Sequence, residues 1–198
     1  YAPLNEGMIQ LYNGTSSYNQ VNELSYIQFL QLMVIVERHN EFESRWAQGL
    51  ARRPVLEAEN SVKYFITNDT ISRHDRLFFD SLAAFGRVKL YRNRFVLPFG
   101  YTYHQYIGDR IFDSLSTRAK DAVSLQAVVI NDSASELAKV LTPFNIADTF
   151  SASIADTAYM WNCFRARVAD TLAVAGFNDK TISGNINSHD AGLLYLSM

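Results

Sequence analysis

The segment "YRNRFVLPFGYTYHQYI" (Tyr91–Ile107) restricts the fold more than any other part of the chain. It places Tyr91, Phe95, Phe99, Tyr101, Tyr103 and Tyr106 on an extended stretch and its exit turn. Pro98 has no N–H to give to a ladder, which confines this strand to a sheet edge or a bend. So much aromatic surface has three uses: a core, a platform for sugar rings, or a face that leans on another body. Core packing accounts for most of it, because aromatic side chains dominate core burial.

The segments around it alternate between helical and extended patterns. Residues 1–22 are polar and rich in turn formers, with a short strand expected at Met8–Leu11. Tyr26, Phe29, Leu30, Met33 and Val34 form one apolar stripe at helical spacing. "EFESRWAQGLARR" reads as a polar connector of helical character that stops at Gly49. Pro54 suits the first turn of a short helix reaching about Asn60. Ser61–Asn68 has strand composition. "ISRHDRLFFDSLAAFG" reads as a helix ending at Gly86, since Leu77, Phe78, Leu82 and Phe85 lie three to four apart. Extended segments follow on either side of an Asn93 turn.

Ser116 is a natural N-cap for the helix after it, and Ser133 with Glu136 forms a capping-box pattern. "ADTAYMWNCFRARVADTLAVAGF" reads as one long helix or two. "TISGNINSH" and "GLLYLSM" alternate in polarity like the strands of a hairpin around "SHDAG". A lone hairpin is marginal in water, so this one should pack on other elements. The expected class is α+β: helices packed on a small mixed sheet, with a C-terminal β-hairpin belonging to a larger β-rich region. Residues 1–150 form the main α+β part, and residues 151–198 form a helix plus hairpin packed on it.

Composition narrows function by exclusion. Eighteen basic against twenty acidic side chains, with no Lys- or Arg-rich run, argue against a nucleic-acid partner. The single Cys163 excludes an internal disulfide framework. The best candidate for a membrane span, Tyr26–Val36, is about half of the roughly 20 residues that span a bilayer and contains Gln28 and Gln31. The chain opens at Tyr1 and closes in what reads as an unfinished strand, the look of a piece of a longer protein.

Catalytic motifs are sparse. His39, His74, His104 and His189 stand far apart, without metal-ligand spacing, so no metal and no cofactor is expected. "GTSSYN" lacks the glycines of a nucleophile elbow. The near pairs of carboxylates, such as Asp109 with Asp113, are explained by a solvated face. No glycine-rich phosphate loop is present. Trp46, Trp161 and the early tyrosines have the surface to stack on sugar rings, with core packing the plainer use for most of them.

Several phrases, in order, resemble the extracytoplasmic part of YfhO-type bacterial membrane proteins, polytopic relatives of the GT-C glycosyltransferases. They are Thr15-Ser-Ser-Tyr18-Asn19, Ser61-Val-Lys63-Tyr64, Tyr91-Arg-Asn93 with Leu97-Pro98-Phe99-Gly100-Tyr101, and Leu193-Leu-Tyr195-Leu-Ser197. The chain stops before the Pro and Gly-Trp that continue the last motif in that family. The membrane helices and their carboxylate-bearing loops are not in it.

The resemblance implies a domain on the extracytoplasmic side of a bacterial cell membrane, partnered by the transmembrane part of the same chain. Such a domain would shape or cover a site where a polyprenyl-phosphate-linked sugar meets a cell-envelope glycan, and it would not be catalytic alone. A carbohydrate-binding or scaffolding module without enzymatic activity is the alternative. Surface contacts are expected from Tyr18, Asn19 and Asn22 in the first loop, Arg45 and Trp46 in the connector, and Tyr103 and His104 after the Pro-Gly turn. Arg45 suits an anionic phosphate, and Trp46 and the tyrosines suit a sugar. The aromatic strand is expected to bury alternate residues and turn the others toward the membrane interface or the missing half.

Overall fold

A computed structural model describes residues 15–18, 24–37, 46–50, 52–73, 75–131, 133, 135–147, 157–178, 181–188 and 190–197. The expected strand at Met8–Leu11 lies outside the described residues. The chain divides into two compact units, Tyr1–Arg53 and Pro54–Met198.

In the first unit, β1 (Ser16–Tyr18) pairs antiparallel with β2 (Trp46–Gln48). The expected helical connector is thus a strand at Trp46–Gln48, and Gly49 follows it with a φ of 77°. Between them runs α1 (Leu24–Leu32), which buries Leu30. Its C-terminus closes in a Schellman motif: the N–H of Ile35 donates to the Leu30 carbonyl and that of Val34 to Gln31. Val34 occupies the left-handed position, φ 58°, which glycine usually fills.

The second unit opens with α2 (Pro54–Glu59), started by Pro54 as expected and closed by a second Schellman motif with Ser61 at φ 58°. Three strands then form an antiparallel sheet: β3 (Tyr64–Thr67), β4 (Phe79–Phe85) and β5 (Val88–Asn93), with β5 in the middle. The helix expected over 71–86 is instead a short 3-10 turn at Asp75–Leu77 followed by the strand β4. Its register slips between Ser81 and Ala83, and this bulge breaks the alternation that would have marked a strand. Gly86, φ 62°, is not a helix stop but the first residue of the two-residue turn between the paired Phe85 and Val88.

The aromatic segment continues as β6 (Gly100–Tyr103) and β7 (Gln105–Gly108). After β7 come α3 (Asp109–Asp113), α4 (Thr117–Ser124), β8 (Val128–Ile130), α5 (Ser135–Val140) and β9 (Thr142–Pro143). Strands β8 and β9 flank β7 in parallel, the crossovers being made by these short helices. Ser116 caps α4, its hydroxyl accepting from the Ala119 N–H. In α5 the Glu136 carboxylate accepts from Lys139 at 2.6 Å.

The last part holds α6 (Thr157–Ala169), β10 (Leu172–Phe177), β11 (Ile182–Ile186) and β12 (Leu193–Leu196). An antiparallel hairpin is present, but its strands are β10 and β11. The expected pairing of "TISGNINSH" with "GLLYLSM" does not form, because β12 turns back to pair with β6.

One core holds this unit together. Val55 and Ala58 of α2 meet Phe79, Tyr91, Tyr101 and Tyr103 from the strands, Ala122 of α4, and Met160 and Cys163 of α6. All four residues of β6 are buried, so the strand is covered on both faces rather than alternating between a core and a membrane face. The cause is its placement: β12 pairs on one side, Thr171 bridges to Tyr101, and α6 supplies core residues to the same cluster. Each such large side chain contributes about 1.5–3 kcal/mol on burial.

Candidate functional site

Of the residues singled out in the sequence, Asn19, Asn22 and Arg45 lie outside the described residues. Tyr18 and Trp46 belong to the first unit, where the register of β1 and β2 sets them directly opposite one another. Tyr103 and His104 belong to the second unit, at the junction of β6 and β7.

Tyr103, expected at the surface, is buried and belongs to the core. Its hydroxyl donates to the Ser124 carbonyl at 2.7 Å, and the Arg167 guanidinium lies 4.5 Å over its ring. Its ring packs 5.5 Å from Tyr101 and 6.0 Å from Tyr195. Burial pushes all three phenols up, Tyr195 to about 12, with the neighbouring Glu59 adding to the effect.

His104 is half-buried and bridges three parts of the chain. Its Nε2 lies 3.0 Å from Asp170 Oδ2, just past the end of α6, and 3.3 Å from the Thr102 hydroxyl. Its Nδ1 lies 3.0 Å from the Ala191 carbonyl, in the approach to β12. Gly192 permits this approach, since a Cβ there would stand 2.9 Å from the Tyr103 carbonyl oxygen and 3.0 Å from ring atoms of His104. A His–Asp pair beside a hydroxyl resembles catalytic machinery, but the geometry works against it. Both ring nitrogens face acceptors, and Thr102 is buried. The imidazole thus ties the end of β6, the end of α6 and the approach to β12 together, in the manner of a clamp.

Arg167 makes the second tie and was not singled out in the sequence. It is buried, and donates to the carbonyls of Leu125 (2.8 Å), Gln126 (2.8 Å) and Thr102. A readable signal existed, because Met160, Cys163 and Arg167 share the helical spacing of a buried stripe. A cation on such a stripe must find acceptors.

The face of α6 away from the core offers a different chemistry. Ala158, Trp161, Asn162 and Arg165 recur at helical spacing and line an open cleft of about 340 Å³. Trp161 is 38% exposed, and its ring is seated 5.0 Å from Phe95 and 5.7 Å from Phe164. Phe95 in turn packs 5.8 Å from Phe78, so one side of the indole rests on aromatic side chains that reach into the core. Small Ala158 leaves room beside it. Asn162 brings a paired donor and acceptor, and Arg165 a forked cation. A ring with an apolar face, hydroxyls and an anionic group fits that set. The volume is at the small end for ligand sites.

Comparison with known proteins gives one match: the family model described as "Bacterial membrane protein YfhO" covers residues 1–198. Neither a search of curated proteins nor a search of solved structures returned a match.

Proposed function

The chain belongs to the YfhO family of bacterial membrane proteins, and on that premise we propose that it forms a part of such a protein lying outside the bilayer, on the extracytoplasmic side. There it shapes or covers the place where a sugar passes from a polyprenyl-phosphate-linked donor to a cell-envelope acceptor. The observation that carries this reading is the cleft on Trp161, Asn162 and Arg165. An indole face takes the apolar face of a pyranose, the amide takes hydroxyls, and the guanidinium takes a phosphate or carboxylate.

No described helix is long and apolar enough to cross a membrane, which favours a place for them beside the hydrocarbon layer rather than in it. The engaged nitrogens of His104 favour a binding and shaping role, with the chemistry supplied by membrane-spanning segments of the same protein. The same cleft, beside a clamp instead of an acid–base pair, also fits a carbohydrate-binding module with no enzymatic role.

The test uses membranes holding the whole membrane protein and follows transfer of labelled sugar from a polyprenyl-phosphate-linked donor. Trp161→Ala and the surface change Arg165→Gln should each lower transfer while membrane levels stay constant. Unchanged transfer in both variants overturns the reading. Glycan binding lost in both variants, in a protein that transfers nothing even when native, establishes the binding module instead.

A further inference from the structure

We infer that the three-stranded sheet β3–β5–β4 docks on an anionic lipid surface through its solvent face and the Phe85–Val88 hairpin tip. This rests on the sheet and on family membership, and is independent of any role in sugar transfer.

The sheet has one buried and one bare face. Phe65, Phe79 and Tyr91 pack together on the buried side, with Phe65 lying 5.6 Å from Phe79 and 6.5 Å from Tyr91. The register puts Tyr64 opposite Arg92, Ile66 opposite Leu90, and Val88 opposite Phe85 on the other side. That side carries large apolar groups in the open: Phe85 is 71% and Ile66 66% exposed, with Tyr64 and Val88 also exposed. Single exposed apolar residues need no explanation, but a contiguous set on one sheet face marks an interaction surface.

Charge identifies the occupant. Residues 61–94 hold seven basic and three acidic side chains, whereas the remainder of the chain holds eleven basic and seventeen acidic. Asp80, in the row with Tyr64 and Arg92, is held by Arg92 at 3.5 Å and Arg94 at 2.8 Å, so its charge is offset locally. Arg87 stands in the hairpin turn and Lys63 lies 5.4 Å from the Tyr64 ring centroid, whereas Lys89, opposite Thr67 and Ala84, shares the face of Tyr91. Apolar groups ringed by cations and a tyrosine match a headgroup layer: the rings and aliphatic tips enter the acyl boundary while the cations meet phosphates. A neutral protein surface would use the apolar patch but would not account for the basic rim.

The 198-residue chain should co-sediment with vesicles of equimolar phosphatidylglycerol and phosphatidylcholine, and weakly or not at all with phosphatidylcholine alone. High salt should release it, because the cations sit in solvent. Phe85→Ser should lower binding about threefold or more, as should the double change Arg87→Gln with Lys63→Gln. All three positions are surface ones, and circular dichroism checks that the variants fold. Absence of binding to the anionic vesicles overturns the inference, as does binding that both variants retain in full. Self-association abolished by Phe85→Ser, without vesicle binding, would assign the patch to a second copy and also overturn it.

Discussion

Ser61 Oγ lies 2.8 Å from Ser197 Oγ, although the two residues are 136 positions apart in the chain. Ser61 is the left-handed residue that ends α2, and its hydroxyl also reaches the Leu97 carbonyl at 3.1 Å. Ser197 follows β12 and ties to Phe99 through both its N–H and its hydroxyl. The pair thus joins the first helix of the second unit, the Pro98 bend and the last strand in one hydrogen-bonded knot.

Removing either hydroxyl should cost about 1 kcal/mol, and the double variant should cost less than the sum of the singles, since they share one bond. At Ser61 the backbone gives a sharper expectation. Ser61→Ala loses the bond and keeps a φ of 58°, whereas Ser61→Gly loses the bond and relieves that conformation. Denaturant unfolding should rank glycine above alanine by about 1 kcal/mol. Equal stabilities would remove the left-handed position from the account.

Val34 presents the same backbone problem without a compensating bond in its side chain. It is exposed and β-branched, and it sits at φ 58° in the Schellman motif of α1. Val34→Gly should stabilise the first unit by about 1 kcal/mol, read as a shift in the denaturation midpoint. A loss of stability would mean that the valine side chain does something the exposed position does not reveal.

The His104 clamp should be structural in its effects. His104→Ala releases Asp170 and the Ala191 carbonyl, and should cost about 1–3 kcal/mol. Gly192→Ala should be of similar severity, because its Cβ would meet the Tyr103 carbonyl oxygen at 2.9 Å. Amide exchange should rise around residues 190–196 in both variants and stay low in α4. Unchanged exchange near β12 would show that the clamp carries no load.

The tyrosine cluster sets an alkaline limit. Tyr195 has its pKa moved from 10.0 to about 12, and Tyr101 and Tyr103 are also raised. The folded state therefore keeps protons that the unfolded chain releases above pH 10. This stability is whole below that pH and falls as pH rises through 12. Phenolate absorbance should show a class of tyrosines titrating only together with loss of structure, whereas free titration of every tyrosine near 10 would contradict their burial.

The cleft on α6 separates binding from stability. Asn162→Ala and Arg165→Gln alter exposed side chains and should change stability by no more than about 0.5 kcal/mol. Both should weaken Trp161 fluorescence changes on adding a hexose phosphate or a uronic acid. Response to the phosphate alone, without the sugar, would reduce the site to its arginine.

What could be read along the chain was what a few neighbouring residues decide. Pro54 started α2, Ser116 capped α4, and the helical spacing of Tyr26, Phe29 and Leu30 marked α1, because caps and helical faces are settled within one or two turns. Val34, read as part of that stripe, lies past the helix and is exposed. The ordered phrases carrying Ser61, Tyr91, Pro98 and Tyr195 pointed to the family for a similar reason: they are local strings. Strand identity and partnership lay beyond such windows. Bulges at Ser81–Ala83 and Val174–Gly176 hid the alternation of β4 and β10, and a positive φ at Gly86 serves a hairpin turn as readily as a helix stop. Whether β12 pairs with β11 or with β6 depends on the register between segments about ninety residues apart, where loop closure and core fit decide. The same long-range choice buried Tyr103 and brought Asp170 and Ala191 to His104. It also left Phe85, Ile66 and Trp161 facing outward, because packing of whole elements assigns each face to core or to surface.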